Sequence, residues 1–167
     1  DLPYGEEVRA YIACQMELED ALALLVSRLD QAGQLENTVI ALSADHYPYG
    51  LTNEQYAQLR GREALAPPFE LYENGFLLWT PGMEPVDVEV PCSSLDILPT
   101  LSNLFGLPYD SRLMMGTDAF SGTSPMVLFA DHSFITERFC YDAGSGQIQP
   151  LNDAVVSQKE VEQCIRE

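Results

Sequence analysis

The chain has 167 residues, 46% of them hydrophobic and 10% aromatic, which suits one globular unit with a real core and excludes a disordered polymer. Its 26 acidic residues stand against 8 basic ones, with Lys159 the sole lysine, a net charge of -18 that repels DNA and RNA and excludes nucleic acid as a partner. The same field repels an anionic small substrate unless a bound cation or basic groups from elsewhere offset it. No apolar run approaches the roughly 18 residues that span a bilayer, and the N-terminus lacks a basic-then-apolar leader, so a soluble segment is expected. The start at Asp1, without an initiator methionine, points to a processed piece whose anchor, if any, lies upstream. Cys14, Cys92, Cys140 and Cys164 share no C-x-x-C spacing, which argues against a zinc ribbon and leaves disulfides and buried thiols as alternatives.

In chain order, Tyr11, Cys14, Leu18, Ala21, Leu22, Leu25 and Leu29 recur at a three-and-four spacing that predicts a long helix over 6–31 with one apolar stripe, stopped at Gly33. Thr38-Val39-Ile40-Ala41-Leu42-Ser43 reads as a strand covered on both faces. Pro48 and Gly50 make 47–51 a loop, and Thr52-Asn53-Glu54 caps a short helix reaching about Arg60, closed by Pro67-Pro68. Phe76-Leu77-Leu78-Trp79 is a second buried strand ended by Thr80-Pro81-Gly82, and 83–91 alternates like an exposed extended segment. Ser93 or Ser94 caps the next helix, whose predicted buried face is Leu95, Leu98, Leu101, Leu104 and Phe105, ending at Gly106-Leu107-Pro108. Strands are expected at 126–130, 134–136 and 138–141, a turn at 142–146, and a surface helix over 154–165.

Chemistry concentrates where the Thr38 strand ends in Asp45-His46. In open α/β sheets the crevice beyond the carboxyl ends of the strands receives ligands. A carboxylate beside a neutral imidazole suits zinc, manganese or another borderline ion, although two ligands are too few to hold it. An ordinary cap or loop hydrogen-bond pair is the alternative, and Asp131-His132 repeats the arrangement after another apolar run, so the residues alone do not choose. Arg60 and Arg62 either meet an anionic substrate or form a solvated pair. Tyr47, Tyr49 and Trp79 offer flat faces for a lipid glycerol or sugar, with core packing the other reading for Trp79. Thr117 and Ser121 have no histidine placed in sequence to activate them.

The ordered series "LENTVIALSADHYPYG", "NGFLLWTPG", "SSLDILPTLSNLFGLP" and "MMGTDAFSG" resembles the C-terminal part of the catalytic domain of lipoteichoic acid synthase-like proteins, in the sulfatase branch of the alkaline phosphatase superfamily. The similarity runs over about residues 4–142, with 143–167 as a terminal extension. It implies a partial α/β, alkaline phosphatase-like (sulfatase) fold, a central β-sheet flanked by helices, with 1–167 the C-terminal portion of the domain. It also implies that Asp45 and His46 are ligands to a divalent metal ion, Mn2+ or Mg2+ foremost and Ca2+ or Zn2+ as alternatives. The nucleophile and a further acidic ligand of that family lie in the N-terminal part, and no segment here matches them, so no catalytic residue is assigned. Asp131-His132 aligns with a variable region and reads as a turn or an exposed cap, while Asp96 begins the helix of the third motif.

The function implied is that of a fragment of a metal-dependent enzyme acting on phosphate or sulfate esters, foremost phosphoglycerol transfer for cell-envelope polymers, inactive alone. Its parent would be membrane-anchored with the domain on the extracytoplasmic face. The expected partners are the missing N-terminal half and, in the intact enzyme, an anionic lipid or sugar ester, with self-association of the fragment. A non-catalytic interaction module or degenerate relative is the alternative.

Overall fold

A computed structural model describes residues 2–66 and 69–166; the Pro67-Pro68 break lies outside them. The chain is mixed α/β and divides into two compact units, 1–85 and 86–167.

In the first unit, helix α1 (Glu6–Gln31) carries Glu6 and Glu7 in its first turn, where they complement the helix dipole. Gly33, at φ 65°, takes the left-handed position that terminates it, and Gln34 N–H donates back to the Leu29 carbonyl at 2.9 Å. Strand β1 (Ile40–Ser43) pairs antiparallel with β2 (Phe76–Trp79), Ile40 opposite Trp79 and Ser43 opposite Phe76. Thr80 Oγ1 donates to the Thr38 carbonyl at 2.9 Å and closes the ribbon's far end. Between the strands, α2 (Asn53–Leu59) starts in a reciprocal capping box of Thr52 and Gln55.

Burial here departs from expectation. Of the α1 residues only Val8 is buried, and Leu18, Leu24 and Leu25 stay about half exposed. The two strands read as covered on both faces are open: β1 alternates half-buried and exposed residues, and Leu77 is 54% exposed. Trp79, read as a core residue, is 36% exposed. A two-stranded ribbon has no second layer of its own to cover such residues fully.

In the second unit, α3 (Ile97–Leu104) follows a 3-10 turn at Ser94–Asp96. Its buried positions are Pro99, Thr100 and Ser102, whereas Leu95, Leu98, Leu104 and Phe105 are 48–55% exposed. The leucine face expected inward therefore points out. The cause is local, because the 116–120 segment docks on the other side: Asp96 accepts from Thr117 N–H at 2.7 Å, Thr100 Oγ1 from Ala119 N–H at 3.0 Å, and Asp118 from the Asn103 amide at 2.8 Å. Gly116 lies against the Leu95 carbonyl so closely that a Cβ there would sit 2.1 Å from its oxygen, leaving room for glycine only. Asp96 also accepts from Ser93 N–H at 2.7 Å, completing the cap.

Strands β3 (Met126–Leu128), β4 (Phe134–Thr136), β5 (Phe139–Asp142) and β6 (Gln147–Pro150) form an antiparallel meander in chain order, β6 being a strand that sequence pattern did not reveal. Helix α4 (Gln158–Arg166), shorter than the expected 154–165 span at its start, packs Val161 with Phe134 and Phe139, whose rings meet edge-on at 5.7 Å. These three residues are at most 2% exposed and form the closed core of the unit. Arg138 pairs with Glu160 at 2.9 Å and donates to the Val155 carbonyl at 2.8 Å, fixing the approach to α4.

The four cysteines are free thiols, so the disulfide alternative is not the one adopted. Cys140 is buried, and burial pushes its thiol pKa up, which keeps it neutral and unreactive.

Candidate functional site

Strand β1 ends at Ser43, and the chain then turns through Asp45, His46 and the loop at 47–51. Tyr49 N–H donates to the Tyr47 carbonyl at 2.8 Å and Leu51 N–H to the Pro48 carbonyl at 2.9 Å. This tight double turn lets two successive side chains that would point to opposite faces of a strand converge. Asp45 Oδ1 lies 3.4 Å from His46 Nε2, with the carboxylate 89% exposed and the imidazole 46% exposed.

The other ring nitrogen fixes the chemistry. His46 Nδ1 is 2.8 Å from the Tyr47 carbonyl oxygen, which only accepts, so Nδ1 carries the proton and donates. Nε2, on the opposite side of the ring, faces the Asp45 carboxylate. Tyr49 stacks on the imidazole at 4.1 Å between centroids, with a 33° tilt. An acid and an imidazole from adjacent residues thus lie side by side at the end of β1.

Among the described residues no group of three or more His, Cys, Asp or Glu gathers closely enough to hold an ion. Asp131 and His132 have a different fate. Asp131 Oδ1 accepts from Ser133 N–H at 2.9 Å, and His132 occupies the left-handed region at φ 68° with its N–H donating to Phe129, so the pair makes the β3–β4 hairpin turn.

Arg60 and Arg62 are not simply a solvated pair. Both converge on Glu70, Arg60 Nε at 2.9 Å and Arg62 Nη1 at 2.7 Å, and Arg60 also holds Glu73 at 2.6 Å. Glu70 Oε2 accepts from the Ala66 N–H. That backbone hydrogen bond first, and the two guanidinium groups after it, hold the Glu70 pKa below its ordinary value against the opposing effect of burial. Sequence reading passed over Glu70, whose side chain is only 5% exposed; an acid flanked by Phe69 and Leu71 shortly after two arginines is the one trace it leaves.

The aromatics form a ladder. Tyr47 meets Tyr49 edge-on at 5.7 Å and Tyr72 at 5.4 Å. Thr117 and Ser121 have structural partners, Asp96 for the Thr117 amide and Thr123 Oγ1 for the Ser121 hydroxyl at 2.8 Å.

This mixed α/β chain, with an acid-imidazole pair at a strand end and a capped helix carrying the Asp96 motif, is a partial sulfatase-type domain. The sulfatase family model matches residues 3–107, and the chain belongs to that family. Asp45, His46 and Asp96 lie inside the matched region; Asp131 and His132 lie outside it. The chain is 26% identical over 163 residues to the lipoteichoic acid synthase-like YvgJ of Bacillus subtilis (strain 168), covering 90% of this chain and 26% of that protein. It is 29% identical over 154 residues to the lipoteichoic acid synthase of Staphylococcus aureus (strain USA300), covering 90% of this chain and 24% of that one. The chain therefore spans about a quarter of the length of these curated relatives. No solved structure matches it. Among the described residues, no helix is long and apolar enough to cross a membrane.

Proposed function

We propose that this chain is the C-terminal portion of a metal-dependent catalytic domain that transfers or hydrolyses phosphate or sulfate esters, with phosphoglycerol transfer to a cell-envelope polymer the foremost reaction. Asp45 and His46 are two ligands of its divalent ion, manganese or magnesium. The observation that carries this reading is the geometry of the pair: Nδ1 is tied to the Tyr47 carbonyl at 2.8 Å, leaving Nε2 and Asp45 Oδ1, 3.4 Å apart, to share one cation.

The donor set fits such an ion, since a carboxylate oxygen and an imidazole nitrogen suit manganese and zinc. When bound, the ion supplies positive charge that activates a hydroxyl nucleophile and offsets charge on the ester's oxygens. This chain's residues do narrower work. Asp45 contributes negative charge at an exposed position, His46 a directed lone pair, and Tyr47 the carbonyl that keeps that lone pair on Nε2. The nucleophile and remaining ligands come from the rest of the catalytic domain, so the segment alone is inactive. The strongly acidic surface makes a cation necessary for any anionic ester to approach.

The remainder of the domain is also the proposed partner of the open apolar faces of α1, the β1–β2 ribbon and α3, and in its absence these faces drive self-association. By analogy with lipoteichoic acid synthases the parent is anchored upstream and works on the extracytoplasmic side. The outward leucine face of α3 equally suits a second reading, a non-catalytic interaction module. The deciding experiment joins this chain to the rest of its catalytic domain and compares turnover of a phosphoglycerol lipid and an aryl sulfate. Phosphoglycerol transfer lost in Asp45→Ala supports the proposal; wild-type turnover in Asp45→Ala rejects it, and turnover of the sulfate ester alone rejects the transferase assignment.

A further inference from the structure

Asn74 and Gly75 form an exposed joint between two fixed pieces of the first unit. On one side Glu73 is held by Arg60 at 2.6 Å, and its carbonyl accepts from the Tyr56 hydroxyl at 3.4 Å. On the other, Phe76 begins β2 opposite Ser43. The joint itself belongs to no helix or strand, and the Asn74 side chain is held only loosely, its Nδ2 donating to the Tyr72 carbonyl at 3.5 Å. Nothing lies within 4 Å of the point a Gly75 Cβ would occupy, so the space beside this glycine is open. The chain's other asparagines lack that combination. Asn37 sits in a 3-10 turn before the β-branched Thr38, and Asn53 opens α2 before Glu54. Asn103 lies inside α3 with its amide donating to Asp118 at 2.8 Å, and Asn152 stands at φ 52° before Asp153.

We propose that Asn74 is a site of spontaneous covalent change, with water as the co-reactant: its amide is lost as ammonia and an isoaspartate forms, which loosens the β1–β2 ribbon leading into the acid-imidazole pair. Asparagine is among the thermolabile residues, and a following glycine, having no Cβ, lets its own backbone nitrogen approach the side chain. The Gly75 nitrogen bonds to Asn74 Cγ, the Cγ–Nδ2 bond breaks, and Nδ2 leaves as ammonia with the proton from the Gly75 amide. Water then opens the resulting cyclic imide. Cleavage at Cγ gives aspartate, and cleavage at the original backbone carbonyl gives isoaspartate, whose chain runs through Cγ with one carbon more than before. That carbon falls two residues before Phe76, so it works against the register of β2 on β1 in a ribbon with no third strand to hold it. The freed carboxylate also adds negative charge next to Glu73, the partner of Arg60. The inference goes beyond the ester-transfer reading and needs no ion.

The test incubates the 167-residue chain at mildly alkaline pH, folded and in urea, and follows each asparagine by peptide mass spectrometry with chromatographic separation of aspartate from isoaspartate. Asn74 is expected to convert in the folded chain within about ten-fold of its rate in urea, because an exposed segment opens at almost no cost. Asn37, Asn53, Asn103 and Asn152 convert more slowly than Asn74. Gly75→Ala, which the open space and a φ outside the left-handed region accommodate, slows Asn74 at least about ten-fold without unfolding the chain. In the converted fraction, backbone amides of Phe76–Trp79 exchange with solvent faster than in the unconverted chain. An Asn74 that stays intact in the folded chain, whatever happens in urea, overturns the proposal, as does a Gly75→Ala chain that converts at the wild-type rate. Unchanged exchange at Phe76–Trp79 in the converted fraction overturns the loosening of the ribbon.

Discussion

Two Asp-His dipeptides follow apolar strands in this chain and end in opposite arrangements. At 131–132 the aspartate folds back onto Ser133 N–H and the histidine backbone takes φ 68°, so both residues are consumed in turning a hairpin. At 45–46 the backbone bends through the following loop, and the two side chains face one another with the imidazole oriented from behind by Tyr47. Identical residues thus acquire different chemistry from the turn that follows them. The 129–133 hairpin connection uses its polar side chain and left-handed backbone to close the turn, while the aromatic loop at 47–51 leaves Asp45 and His46 side by side.

The largest expected effect separates the pairs functionally. In the joined catalytic domain Asp45→Ala and His46→Ala abolish turnover, a loss beyond the roughly 10- to 100-fold that outer-shell partners cost, whereas Asp131→Ala and His132→Ala keep it. Steady-state assays of the four variants check this, and equal losses at both pairs would erase the distinction. Second in size is the core against which the 131–132 hairpin is built. Phe139→Ala should destabilise the second unit by about 3–5 kcal/mol in denaturant titration, since the ring is 1% exposed, whereas Leu98→Ala, 55% exposed, should stay within about 0.5 kcal/mol in this chain. A cost at Leu98 as large as that at Phe139 would show that its face is already covered.

Smaller effects refine the same contrast. Asp131→Ala removes one hydrogen bond from the hairpin and should cost about 1 kcal/mol, while His132→Gly relieves the left-handed backbone and should stabilise by up to about 1 kcal/mol, both read from unfolding midpoints. The Glu70 cluster adds a pH-dependent contribution to the first unit. Because folding lowers the Glu70 pKa from 4.5, its contribution is fully present above that value and fades as pH falls through the lowered folded-state pKa. The stability difference between wild type and Glu70→Gln should therefore shrink on acidification, and a constant difference would remove Glu70 from the account.

Much of this was legible in the residues. Gly33 marked the end of α1, Thr52 the start of α2, and Ser93 or Ser94 the cap before α3, of which the structure uses Ser93, because capping is decided by side chains a few positions apart. The motif series led to the family that the match over residues 3–107 establishes. Burial was less legible. Periodicity reports which face is apolar but not whether anything covers it, so the leucines of α3 and the β1–β2 ribbon read as core and stand exposed. Glu70 escaped for a related reason, since an ion cluster assembled from 60, 62 and 70 depends on how a loop folds back rather than on any local pattern.

The most direct test of the central claim is calorimetric titration of manganese into the joined catalytic domain, wild type against Asp45→Ala, His46→Ala and Asp131→Ala. The account predicts binding that is lost or weakened at least about ten-fold by either change at 45–46 and untouched by the change at 131. Wild-type manganese affinity in Asp45→Ala and His46→Ala would contradict it.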